Sequence, residues 1–471
     1  MSYTLDQQPA YQEQPVGTDW IYTVKSSNIT GNYKFKYFLD VYISEYGATY
    51  ALRLKFSPNA TGVGIINTSD IFEQYVKSDN LGSTRNNFQS EFKGVDNIAG
   101  SSCPIHCIDK LSLNDYAFRK ASFLWGEEFS TNATDAPTEY PALLITMQMS
   151  YFNGMAYNNE QILSGGNYGI NLAVWNAEDF LPTSSASKFL TDSPHSYDYN
   201  GVGINIRNGD YHTLAFLSGY FMAGFAQPDE YTVTFLDVND SVISSFSKDI
   251  TNTNGGANAV GTNYIADSRK ALMYLGAGIG NFFGFAYVPL TWDSYTIMLK
   301  SNSVQVSKAM LFKREYDDCK GFETIRLTWL NKYGVWDYYN FTKKNTESTD
   351  IKRTEYNKIK GNWNSDTYIK YGYERGLTTL HTNATKKITL NSDWFKNDKE
   401  AAWLEQLFIS PEVYILNGYN VHDSAPAEYG KYMQPVQITN KEYVRYTQAN
   451  DKVAQYEVDI EYAIKTRVQR A

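Results

Sequence analysis

The chain has 471 residues, 42% hydrophobic and 20% charged, a globular composition that excludes a disordered protein and predicts about two to four domains. Its 51 acidic and 42 basic residues leave a net charge of −9, which excludes broad contact with a phosphate backbone. The unusual feature is aromatic content: 39 Tyr, 25 Phe and 9 Trp favour strands, and they suit extended protein interfaces or carbohydrate stacking equally well.

The first 19 residues read as an arm, because Gln7-Gln8-Pro9 and Gln12-Glu13-Gln14-Pro15 offer no apolar periodicity. In a monomer such an arm is expected to be disordered, and in a ring or lattice to lie across a neighbour. A β-rich domain is expected over 20–183. In it Phe35, Tyr37, Leu39, Val41 and Ile43 form one side of a period-2 strand, and Tyr50 to Phe56 repeats the pattern. Ser69 is positioned to cap a short helix carrying Ile71, Phe72, Tyr75 and Val76, and a polar loop follows over 77–100. Strands are expected over 117–125 and 143–152, the second ending in a hairpin-type turn at Asn153-Gly154.

A second unit, a β-sandwich over 184–318, opens with Phe189-Leu190-Thr191-Asp192-Ser193-Pro194. Its strands fall at 212–217, 231–238, 242–246 and 295–299, with Val238-Asn239-Asp240-Ser241 as a hairpin turn and 251–263 as a long loop. Residues 272–290 carry no charge over a membrane-spanning length, but Gly276, Gly278, Gly280, Gly284 and Pro289 break the run into pieces suited to buried strands. No membrane segment is expected. A third unit, a sandwich with one helix, covers 319–471. Ile325, Leu327 and Trp329 share a strand face, 331–334 turns the chain, and 336–341 returns. Ser392 precedes the best helix candidate, 394–408, which Ser410-Pro411 stops before strands at 413–416 and 456–462.

Chemistry-bearing patterns are few. Cys103-Pro104-Ile105-His106-Cys107 supplies half of a zinc site, but Cys319, His195, His212, His381 and His422 stand singly, so no metal is expected. The low, odd cysteine count describes no disulfide framework, and Met1 to Asp6 lacks the basic start and apolar stretch of a signal peptide. Glu127 and Glu128 beside Trp125 are adjacent on a strand and point to opposite faces, whereas glycoside hydrolysis needs two carboxylates across one bond. Glu315-Tyr316-Asp317-Asp318 reads as a solvated link. Gly276-Ala277-Gly278-Ile279-Gly280 fails the dinucleotide fingerprint, and no nucleophile elbow, phosphate-binding loop or His-Glu-x-x-His is present. Neither a catalytic residue nor a cofactor is expected, and the chain reads as a non-enzyme.

Three stretches resemble structural proteins of tailed-bacteriophage virions, of the tail and neck type, in phages of marine and gut Bacteroidetes. They are Trp20–Val24 with Tyr37–Ile43 and Leu52–Lys55; then Phe189–Pro194; then Thr324–Asn331 with Trp336–Phe341 and Leu407–Tyr414. They fall in order along nearly the whole chain. The resemblance implies a virion component made in the host cytoplasm, with no active residues. By fold analogy the last unit looks like tail-tube and distal-tail modules, which close into rings. The expected function is a structural subunit of a tail, neck or baseplate, whose partners are copies of itself and other virion proteins. The alternative is a host-surface, glycan-binding adhesin using the loops near 252–263 or 78–100; a polysaccharide-degrading tail enzyme ranks last.

Overall fold

The structure is a computed structural model that describes residues 3–9, 13–45, 48–80, 105–108, 111–114, 116–145, 149–155, 177–196, 202–219, 227–250, 271–282, 288–316, 322–361, 363, 366–367, 369–374, 376–395, 397–416, 433–443 and 454–467. The chain is mainly β, built from several sandwich-like units. It separates into two compact units: residues 1–316 with 330–337 and 418–430, and residues 317–329 with 338–417 and 431–471. The first unit therefore holds the 20–183 stretch and the 184–318 stretch as far as residue 316.

In chain order the first unit begins with β1 (Tyr3–Gln7), β2 (Glu13–Pro15), β3 (Ile21–Ser26), β4 (Tyr33–Glu45), β5 (Ala48–Phe56), β6 (Val63–Asn67), α1 (Ser69–Glu73), β7 (Leu111–Leu113), β8 (Phe118–Ser130), β9 (Thr138–Ile145) and β10 (Met149–Phe152). Two sheets, ordered β1-β3-β6 and β2-β10-β8-β4-β5, face each other, with β9 also on β8. The period-2 pattern explains the packing. Tyr37, Leu39, Val41 and Ile43 of β4 are buried, and Tyr22 of β3 meets Phe123 and Trp125 of β8 at ring distances of 5.4 and 5.6 Å. On the other side of β4, Arg53 forks onto Asp40 at 2.6 and 2.7 Å and lies over the Phe38 ring.

Several expectations need correction here. The N-terminal arm contains two paired strands: β1 runs antiparallel to β3, and β2 runs parallel to β10 with Glu13 and Gln14 buried. Backbone pairing with distant strands orders a segment that lacks any apolar periodicity of its own. The strand expected over 143–152 is two strands, β9 and β10. Asn153-Gly154 is not a hairpin turn within one ladder: Asn153 N–H donates to Ala117, and the Gly154 carbonyl accepts from Gly17. The cap of α1 is Thr68 rather than Ser69, whose hydroxyl donates instead to Asn67.

The first unit continues with β11 (Ile204–Ile206), β12 (Thr213–Leu217), β13 (Glu230–Leu236), β14 (Val242–Asp249), β15 (Leu272–Gly276), β16 (Ser294–Ser301), β17 (Val304–Gln305) and β18 (Met310–Arg314). The sheet β11-β18-β16-β13-β14 covers the sheet β12-β15-β7, and Val233, Tyr295, Ile297 and Phe312 share one core with Leu214, Phe216, Met273 and Leu275. Because β7 pairs with β15, the two sequence stretches of this unit interleave. The 237–241 turn is as expected: Asp237 Oδ1 accepts from the N–H groups of Asn239 and Ser241, and Asp240 takes φ 59°. In the uncharged 272–290 run, β15 is followed by a single helical turn at Ile279–Phe282. Among the described residues no helix is long and apolar enough to cross a membrane.

The second unit's sheet uses β19 (Ile325–Leu330), β20 (Trp336–Phe341), β21 (Thr346–Asn357), β22 (Leu377–Asn391), α2 (Asp398–Ile409), β23 (Val413–Leu416), β24 (Met433–Ile438), β25 (Glu457–Tyr462) and β26 (Thr466–Arg467). Its strand order is β20-β19-β23-β24-β25-β22-β21, with β26 on β22. Helix α2 covers the sheet: Trp403 meets Trp329 at 5.3 Å, and Leu404 and Leu407 join Ile388, Leu390, Val458 and Ile460 in one core. The helix starts four residues later than 394. Asn397 caps it by accepting the Lys399 N–H at 2.8 Å, because Phe395 is held extended by reciprocal backbone bonds to Ala454. Ser392, the expected cap, accepts the Tyr456 N–H instead.

Candidate functional site: an exposed aromatic hairpin

Strands β21 and β22 pair antiparallel from Thr346↔Thr389 to Asn357↔Leu377 and form a ribbon at the sheet's edge. At its base β22 also pairs with β25 over Lys387–Asn391, and with β26 at Asn383 and Ala384. From Thr382 outward to Leu377, β21 is the only strand partner of β22 among the described residues. At about 3.3 Å per residue this free stretch is roughly 20 Å long. Eleven of the twelve β21 residues are exposed, so the ribbon has no apolar face to hide.

The tip continues from Lys358, whose N–H donates to the Gly376 carbonyl at 2.6 Å. Glu374 accepts the Gly361 N–H at 2.8 Å, and Trp363 Nε1 donates to the Lys360 carbonyl at 3.0 Å. Tyr371 and Tyr373 stack with ring centroids 5.4 Å apart. These bonds fix a loop that presents apolar side chains to water: Ile359 is 79% exposed, Trp363 68%, Tyr373 80% and Leu377 60%. Lys358, Lys360 and Lys370 are interleaved with them, and residues 352–386 hold seven Lys and Arg against three Asp and Glu, a net +4 in a chain of −9. Such a surface offers stacking area, apolar area and positive charge.

Sequence reasoning missed this feature. The ribbon is polar on both faces, so it gives no hydrophobic alternation. Its one signal is the density of Thr at 346, 349, 354, 378, 379, 382, 385 and 389, a β-branched residue suited to strands.

The candidates singled out from the sequence are not brought together. Cys103, Cys319, His422 and the Cys107 side chain lie outside the described residues, as do Asp317 and Asp318, the 251–263 loop and nearly all of 78–100. His106 is buried with its ring 5.1 Å from Trp336; His212 meets Phe312; His381 contacts Thr354 on the ribbon. His195 Nδ1 lies 2.7 Å from Ser193 Oγ, and burial pushes this imidazole down to about 4. Among the described residues no group of three His, Cys, Asp or Glu is placed to hold a metal ion. Glu127 and Glu128 do part company: Glu127 accepts from Asn28 and Glu128 from Lys55. Gly278 lets the chain approach the Asp210 carbonyl, and Gly280 the Gly209 carbonyl, too closely for a Cβ, a packing role.

No known protein family matches the chain, and no curated protein does. Solved structures match weakly. The tail of an empty GTA particle with C6 symmetry is 11% identical over 33% of this chain and 100% of its own, with a TM-score of 0.17. The bacterial integrin-binding protein invasin is 8% identical over 82% of this chain and 57% of its own, with a TM-score of 0.19. A mutant Salmonella alpha-2-macroglobulin is 8% identical over 100% of this chain and 31% of its own, with a TM-score of 0.16. Scores this low do not establish a common fold.

Proposed function

We propose that the protein is a non-enzymatic structural subunit of a bacteriophage virion, a tail, neck or baseplate component that acts by assembling with copies of itself and with other virion proteins. The observation that supports assembly is the ribbon. Two-stranded hairpins without an apolar face are marginal in water, yet here one runs about 20 Å past its last supporting strand and ends in exposed Trp, Tyr and Ile. A partner that covers the tip turns an unfavourable projection into a joint. The virion assignment comes from the sequence resemblance along 20–414.

A second reading, a host-surface adhesin, draws on the same tip, since Trp363 and the stacked Tyr371 and Tyr373 offer faces on which a sugar ring can rest. The solution mass of the purified chain, with electron microscopy of whole particles, separates the two. Rings, or one fixed ring of density, support assembly. A stable monomer or trimer that projects outward and retains host glycan sinks it in favour of the adhesin.

A further inference from the structure

A second exposed surface in the molecule has the chemistry opposite to that of the ribbon tip. It lies at one end of the sheet β11-β18-β16-β13-β14, where Leu236 pairs with both Val242 and Ser294, and Ser294 with Lys313. The turn after β13 and the segment before β16 meet there, since Asp293 N–H donates to the Leu236 carbonyl at 3.0 Å. Together they present Asp237, Asp240 and Asp293 beside three outward apolar side chains: Val238, 78% exposed, Val242, 65%, and Leu290, 94%. Two cations stand at the same end: Arg314, whose guanidinium lies over the rings of Trp292 and Tyr316 and donates to the Leu290 and Trp292 carbonyls, and exposed Lys313 beside Ser294. Burial in the sandwich accounts for none of these three apolar residues.

We infer that the ribbon tip of one copy docks on this end of the β13–β14 hairpin in a second copy, Lys358, Lys360 and Lys370 meeting Asp237, Asp240 and Asp293 around an apolar centre. The inference rests on the assembly reading and names its partner surface. Charge complementarity commits the tip to this occupant: a segment of net +4 belongs to a chain whose remaining residues carry −13. Apolar side chains ringed by charge on both surfaces match the core-and-rim layout of protein interfaces. Tip and face are different surfaces, so the contact is heterologous; each copy offers one of each, and the chain of contacts runs head to tail until rotation closes it.

The test uses the full chain and two variants altered only at exposed positions. The tip variant is Lys358→Glu/Lys360→Glu/Lys370→Glu, and the face variant is Val238→Lys/Val242→Lys/Leu290→Lys. Circular dichroism and unfolding midpoint check that each keeps its fold. In sedimentation, wild type is expected to give the assembled mass, and each variant to require at least about tenfold higher concentration to assemble. An equimolar mixture is expected to stop at one-to-one dimers, because only one intact tip and one intact face remain. Wild-type assembly that neither variant weakens overturns this interface and leaves the assembly reading standing. Folded variants that stay monomeric but form no dimer on mixing also overturn it. A wild-type chain that is monomeric at every concentration overturns both.

Discussion

The Asn281 carboxamide oxygen accepts the backbone N–H of His212 at 2.9 Å and that of Gly278 at 2.9 Å, while its nitrogen donates to the carbonyls of His106 at 3.0 Å and Ile108 at 2.5 Å. One fully buried side chain thus satisfies backbone groups from three segments far apart in sequence. Asn281→Ala strips all four bonds and leaves buried donors and acceptors dry. It is expected to cost on the order of 3–5 kcal/mol, read as a shifted midpoint in urea unfolding. Asn281→Asp, which replaces the donor nitrogen by an oxygen facing two carbonyls, is expected to be no better. A midpoint unchanged in both variants contradicts this role.

Gly334 sits at φ 72° in the turn between β19 and β20, and a Cβ built there would lie 1.1 Å from the Asn153 carbonyl oxygen. Gly334→Ala therefore carries both backbone strain and a collision with another backbone, an expected loss of about 2–4 kcal/mol. Gly31, at φ 85° with nothing within 4 Å of its Cβ position, is the control. Gly31→Ala is expected to lose only about 1 kcal/mol. Equal losses in thermal unfolding would show that the collision does not matter.

Burial pushes the Glu13 carboxyl up to about 7, so the folded chain keeps a proton that the unfolded chain releases near 4.5. Its contribution is fully present below 4.5 and is lost as pH rises through about 7. His195 works in the opposite direction: depressed to about 4, it costs stability as pH falls from 6.5. The comparison must therefore be wild type against Glu13→Gln. Stability of wild type relative to this variant is expected to drop by on the order of 3 kcal/mol between pH 4.5 and 7 and to stay flat above. A difference independent of pH would show that Glu13 is already ionised in the fold.

Trp363→Ser and Tyr373→Ser remove exposed rings that close no core. Unfolding midpoints are expected to move by no more than about 0.5 kcal/mol. Self-association, measured by sedimentation, is expected to weaken if the tip is an assembly joint, and glycan retention to weaken if it is an adhesin. A loss of stability in either variant would mean the tip is part of the folding core.

Much of this fold is written locally. Period-2 alternation in 35–43 and at 325, 327 and 329 marked strands that the fold contains, although Phe38, Asp40, Arg326 and Thr328 on their other faces are buried too, and geometry along one strand was enough to part Glu127 from Glu128. The aromatic load is largely core: Tyr22, Tyr151, Tyr231 and Tyr274 are fully buried. What the sequence alone determined is therefore a mainly β protein with most of its strands and one well-marked helix, because those depend on neighbours two to four residues away. Tertiary structure decided the rest. It turned a patternless N-terminus into β1 and β2, moved the start of α2 to Asp398, sent β7 into the sheet of β12 and β15, and left β21–β22 as a polar ribbon. Each of these rests on backbone bonds to residues tens to hundreds of positions distant. A backbone donor carries no side-chain signature of the partner it will find.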